Sequence, residues 1–227
     1  MALPIPQRSA FHFIALFAAA LVGFWPTYFV RLGEIPSWRV HVHGALMFGW
    51  IAMLIAQACL IRWRRQDTHR ALGKFSYVLA PLIVISGVVV ERDSLVRLGG
   101  KINEEAYFFA YLVPALLLLF AVLYGLAMYH RKTPVKHMRY MIGTALVMID
   151  PIFARILDVH MGIGFGAGQL ITFALTDAIL IVLAYADRRS GARTFPIILM
   201  GFLLFQVPAF VVCRMAWWPD VVRAFAG

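Results

Sequence analysis

An all-α bundle of membrane-spanning helices is the fold class this sequence predicts, and three observations carry that expectation. Mean hydropathy is +0.81, and 62% of the 227 residues are hydrophobic against 14% charged. A soluble domain of this size carries about 25% charged residues. The apolar residues fall in long blocks, seven of which approach the roughly 20 residues a helix needs to cross the hydrocarbon core. The basic residues are spread unevenly among the segments between those blocks. No polar stretch is long enough to hold the core of a separate domain, so residues 1–227 read as one integral membrane domain.

The expected spans are 10–30, 41–61, 71–90, 106–129, 138–157, 168–186 and 195–215. With seven crossings, Arg8 and the segments 62–74, 131–139 and 188–193 share one side and hold thirteen of the 21 lysines and arginines. The positive-inside rule makes that side cytoplasmic, with the N-terminus inside and the C-terminus outside. The net charge of +10 then reflects topology and contact with anionic lipid headgroups, and nucleic acid is excluded as a partner. Cys59 and Cys213 lie in apolar segments and read as packing residues without a disulfide framework. No A-x-A-like cleavage site follows the first apolar run, so that run is expected to be a retained span.

Span one ends with Trp25, Tyr28 and Phe29, which suit an interfacial belt, and with Pro26, which removes a helix hydrogen bond. Span two is the informative one. His41 and His43 open it, and His43, Met47, Trp50, Leu54 and Gln57 recur at helical spacing along one face. Imidazole and amide groups in hydrocarbon need partners, so this face is expected to look into the bundle. His69 and Arg70 precede span three in a basic turn, Pro81 is expected to kink it, and 91–105 reads as a polar rim. Span four is leucine-rich, with Tyr107, Tyr111, Tyr124 and Tyr129 as interfacial candidates. Span five follows His137 and carries Asp150, Pro151, Arg155, Asp158 and His160. Arg155 and Asp158, three apart, can meet on one helix face. The alternating glycines of 161–168 suit a tight turn, not a phosphate loop, since no Lys-Ser/Thr follows. Span six has Asp177 near its centre, a costly place for a carboxylate, with Arg155, Thr176, Gln206 and His43 as candidate partners. Span seven carries Gln206, Pro208 and Arg214, and Trp217–Trp218 reads as an interfacial anchor.

These residues define a buried polar and histidine site in the outer half, where His43, Asp150 and Asp177 are expected to converge. Its most concrete form is a redox-type membrane protein holding haem b or a divalent metal. Haem needs one or two axial ligands, for which His43 with His160 and His69 with His137 are the candidates. A zinc-dependent membrane hydrolase would use His41, His43, Asp150 and Asp158, plus His160, since zinc takes about four N, O or S donors. Gln57, Arg155, Asp177 and Gln206 are the further buried polar residues. The alternative is a non-catalytic role, as an accessory subunit or assembly factor of a membrane protein complex, or as a binder of lipid or quinone among membrane lipids.

The runs V-G-F-W-P-T-Y-F and H-V-H-G-A-L-M-F-G-W, then Gln57, H-R-A-L-G and K-H-M-R-Y-M-I-G-T-A-L…D-P-I-F-A-R resemble a family of uncharacterised bacterial multi-span membrane proteins. The resemblance covers nearly the whole chain and implies a multi-pass helical bundle of the bacterial inner membrane, with no assigned activity. Members often read R-x-H-P after span six; Phe195 stands at the histidine position here. There is a looser similarity to b-type cytochromes such as the cytochrome b561 group, which place histidines near opposite ends of a bundle.

Overall fold

The structure is a computed structural model that describes residues 5–35, 37–99, 101–188 and 193–227, with side chains from Ser9 onward. Arg8 and part of the basic segment 188–193 therefore fall outside the described side chains. The chain forms α1 (Ile5–Phe24) with a π-helical turn (Trp25–Phe29), α2 (Trp38–Arg62), α3 (Gln66–Leu98), α4 (Glu104–Tyr129) and α5 (Pro134–Leu146). It continues through α6 (Ile149–Arg155) with a second π-helical turn (Ile156–His160), α7 (Phe165–Asp187), α8 (Thr194–Val212) and α9 (Trp218–Ala226). Among the described residues, six helices are long and apolar enough to cross a membrane: Ser9–Phe29, Trp38–Arg62, Gln66–Leu98, Glu104–Tyr129, Phe165–Asp187 and Thr194–Val212. The expected fifth span, 138–157, is instead divided between α5 and α6, neither of which reaches that length alone.

Pro151 supplies the reason for the division. It has no N–H, so the carbonyl four residues earlier, on Val147, loses its helical partner. Met148 donates back three residues to the Ala145 carbonyl, at 3.0 Å, and the α-helix is interrupted at 147–148. The broken element is central. Every residue from Ile142 to Asp150 is buried, and a helix that is covered all round belongs inside its bundle. The helices close a ring, α1 on α2, α2 on α3, α3 on α4, α4 on α8, α8 on α7, α7 on α6 and α6 back on α1, with α5 packed against α4 and α8. The outward surface carries large apolar side chains such as Leu118, Val182, Met200 and Leu204, each more than half exposed, the surface a lipid solvent requires.

One end of the bundle, the basic end, holds the α2–α3, α4–α5 and α7–α8 connections. At this end α5 lies against α4 and α8, whereas beyond the break α6 lies against α1 and α7. That change of neighbours leaves room at the opposite end between α6 and the pair α3–α4. At that end α9 packs against α3 and α4. Val222 and Trp218 of α9 pack with Leu95, Ala106 and Tyr107, and Trp218 Nε1 donates to the Tyr107 carbonyl at 2.9 Å. The segment 91–98, expected as a rim, is helical and partly buried, because Leu79, Ile83, Gly87, Glu91 and Leu95 continue one inward stripe at four-residue spacing.

Candidate functional site

The room beside α6 is a cavity of about 880 Å³, lined from α1, α2, α3, α4, α6 and α7. Its wall is mostly apolar, with Met47, Ile83, Leu116 and Phe120 among the lining residues. Into it are gathered His43, Glu91, Asp150, Arg155, Asp158 and Gln169.

His43 comes from the inward face of α2. Its Nδ1 lies 2.9 Å from Ser86 Oγ on α3. Ser86 Oγ also lies 3.1 Å from the Ile83 carbonyl, to which its hydroxyl can donate. Ser86 thus holds the His43 ring through Nδ1, and Nε2 makes no hydrogen bond among the described residues. Gly87 allows the approach: a Cβ there would sit 3.2 Å from His43 Cε1 and 2.8 Å from the Leu117 methyls.

Asp150 is brought in by the helix break and faces α7. Its Oδ1 accepts from Thr172 Oγ1 at 2.8 Å and from Gln169 Nε2 at 2.5 Å. Gln169 is 2% exposed, and since its amide nitrogen serves the carboxylate, its Oε1 is turned away and has no partner among the described residues. Arg155 donates from Nη1 to the Pro151 carbonyl at 3.0 Å and lies 4.4 Å over the Phe24 ring. Glu91 is 9% exposed and has no hydrogen bond among the described residues.

Several expected partnerships differ from those found. Arg155 and Asp158 form no ion pair within 4.0 Å, because the chain enters the π-helical turn at Ile156 and the three-residue register of an α-helix no longer applies. Asp177 does not join His43 and Asp150. It faces α8, where the Gln206 amide donates to its two carboxylate oxygens at 3.2 Å, so of its candidate partners Gln206 is the one it meets. His160 is exposed and uses Nε2 to donate to the Val22 carbonyl at 3.0 Å. His41 sits beside Tyr28, with Nδ1 3.1 Å from the phenol oxygen, and is not a lining residue of the cavity. Among the described residues no three His, Cys, Asp or Glu side chains come together where they could hold a metal ion. The zinc set of His41, His43, Asp150 and Asp158 is thus not assembled. The histidine pair His43 and His160 does not form across the cavity either.

At the basic end His69 and His137 do meet, with ring centroids 6.5 Å apart at 88°. His137 Nδ1 donates to the Ala127 carbonyl at 2.9 Å, and Gln57 Nε2 donates to the His69 carbonyl at 3.2 Å. Tyr124, expected at an interface, is internal: it bonds Ser76 at 2.9 Å and packs edge-on to Trp50.

Glu91, Ser86, Gln169 and Thr172 escaped the sequence reading. The signal for the last two was present, since Gln169, Thr172 and Thr176 recur at three and four residues and all three are buried on α7. Comparison of the chain with protein-family models, with curated proteins and with solved structures finds no match.

Proposed function

We propose that this chain is a multi-pass protein of the bacterial inner membrane, with its N-terminus cytoplasmic, whose outer-half cavity binds a lipophilic molecule of the quinone or lipid class. On this reading α5 and α6 together make a seventh, broken crossing, and the basic end faces the cytoplasm. The observation that carries the proposal is the cavity itself. Ligand sites are apolar concavities of about 300–1,000 Å³ with a few placed polar groups, and this one of about 880 Å³ has His43, Asp150, Arg155 and Gln169 on an apolar wall. Broken helices in membranes are tolerated where they border such a space.

The test uses the full chain, purified and reconstituted in nanodiscs, and titrated with decylubiquinone and decylubiquinol. An organic extract of the purified protein is analysed by mass spectrometry alongside. Saturable one-to-one binding is expected, and Val113→Trp, which fills the lining of α4, should abolish it. No saturable binding of either form, with no lipid retained stoichiometrically, overturns the proposal.

A second reading, haem b on His43 alone, is favoured by the Ser86 bond, which orients the ring and leaves Nε2 as a ligand. Haem would supply one-electron chemistry there. A Soret band lost in His43→Leu supports that reading, and a colourless wild-type protein after haem-supplemented expression ends it.

A further inference from the structure

Resting on the lipid side of the reading above, one carboxylate identifies the charge of the head that the cavity takes. Glu91 stands in the inward stripe of α3 with Ile83, Gly87 and Leu95, and all four line the cavity. It is 9% exposed and makes no hydrogen bond or ion pair among the described residues. Its carboxylate oxygens keep surface open to that space, unlike Gln169 Oε1, which protein encloses. The neighbouring arginine is not its partner: Arg92 is drawn to α9, where its Nε donates to the Phe225 carbonyl at 3.2 Å. A charge held away from bulk water is stable only when paired. The apolar stripe around Glu91 offers no donor, so its counter-charge falls to the occupant.

The other acids of the lining reinforce that sign. Glu105, Asp150 and Asp158 share it with Glu91, and Arg155 is the one arginine or lysine there. Glu105 and Asp158 are exposed, so water keeps them charged. Arg155 would favour an anion, but its Nη1 is occupied by the Pro151 carbonyl and its face by the Phe24 ring. An anionic head that reached it would meet four carboxylates in a medium where charges act more strongly than in water. Phe109, one helical turn beyond Glu105, packs against Phe165 at 5.3 Å, and both rings line the cavity. Aromatic rings attract cations as well.

We propose that Glu91 binds the positively charged nitrogen of an amphiphile, a protonated amine carried on an apolar tail that lies along the Met47, Ile83, Leu116 and Phe120 wall. Such a nitrogen has two sources, a free lipophilic amine and the ammonium of an ethanolamine phospholipid head.

The experiment is calorimetric titration of the full chain in dodecylmaltoside, whose head is uncharged, with decylamine and, separately, decanesulfonate. The two probes share a tail and differ in the sign of the head, and empty micelles serve as the blank. Wild type should bind decylamine at least about tenfold more tightly, the ratio set by one hydrogen bond to a charged group. Glu91→Gln keeps the shape and removes the charge, so it should lower decylamine affinity about tenfold without weakening decanesulfonate. Displacement of decylamine by dioctanoylphosphatidylethanolamine assigns the nitrogen to a phospholipid head, and no displacement assigns it to a free amine; either supports the ammonium site. Equal affinities, or tighter binding of decanesulfonate, overturn the cationic head, and the cavity reading then stands on decylubiquinone, decylubiquinol or retained lipid. No saturable binding of any of these removes the cavity reading itself. A decylamine preference that persists in Glu91→Gln overturns the role of Glu91. If that variant does not fold, the wild-type ratio alone still decides the sign of the head.

Discussion

The two ends of the bundle handle buried polarity in opposite ways. At the basic end Arg139 and Asp187, 2% and 8% exposed, form an ion pair at 2.5 Å, and Phe195 lies under the guanidinium at 6.0 Å. Ser76 and Tyr124 bond each other, and His137 is held by a carbonyl. At the cavity end His43 and Asp150 are each held through one atom, and the other makes no hydrogen bond among the described residues. Loose atoms exist at both ends, for Gln169 Oε1, Gln57 Oε1 and His69 Nδ1 have no partner among the described residues. The difference is the void. Half-paired polar groups lining about 880 Å³ of space are available to a ligand, whereas an ion pair packed on all sides is spent on structure. Polarity inside a membrane protein marks a site when it borders space, and marks architecture when it is packed.

The largest effect should come from breaking the packed pair. Arg139→Met takes the guanidinium away from the buried Asp187 carboxylate, and losing one partner of a buried pair costs about 3–5 kcal/mol. Thermal unfolding in detergent should show this, and Asp187→Leu added to Arg139→Met should recover most of it. At the cavity end Asp150→Asn keeps an oxygen to accept from Thr172, so the loss there should be about 1 kcal/mol or less. Equal losses at the two positions would break the contrast between the ends.

An intermediate effect is expected where the cavity is framed. Gly23 lets α1 lie against α6: a Cβ there would sit 2.8 Å from the Ile152 carbonyl oxygen, a backbone atom with little freedom to retreat. Gly23→Ala should cost about 1–3 kcal/mol through overpacking. It should also weaken decylubiquinol binding, because α6 forms one wall of the cavity. A variant with unchanged melting temperature and affinity would show that α6 is not held in place by this contact.

How much of this was legible beforehand follows from which signals are local. Six of the seven apolar blocks and the inward stripe of α2 were readable, because hydropathy blocks and three-to-four spacing are properties of one segment. The same logic would have extended α3 past Glu91 had the four-residue stripe from Leu79 to Leu95 been followed through the charged residues beside it. Asp150 could be singled out as needing a partner, but not that Gln169 and Thr172 supply it, since that pairing depends on how α6 meets α7. The Arg139–Asp187 pair was hidden for a similar reason. Both residues border basic segments that read as solvated, and only the packing of α5 against its neighbours takes Arg139 inside. Asp177 with Gln206 was one option among four, and the choice lay in the α7–α8 contact.

The smallest effect is expected from a pair that resembles Arg139–Asp187 in distance and differs in burial. Arg39 reaches Asp93 at 2.5 Å and joins α2 to α3 near the cavity, but the arginine side chain is 45% exposed. Ion pairs in contact with water are worth about 0–1 kcal/mol, because solvent and salt screen the charges and two long side chains must be ordered. Ser37 Oγ also donates to Asp93, at 3.3 Å, so the carboxylate is not abandoned when the arginine is removed. Arg39→Ala should therefore shift the detergent melting curve by less than about a third of what Arg139→Met does, and 1 M salt should erase most of that shift. A large, salt-resistant loss would mean that Asp93 sits in a drier place than its neighbours imply, and that the packed-against-open distinction drawn between the ends has to be redrawn at the mouth of the cavity.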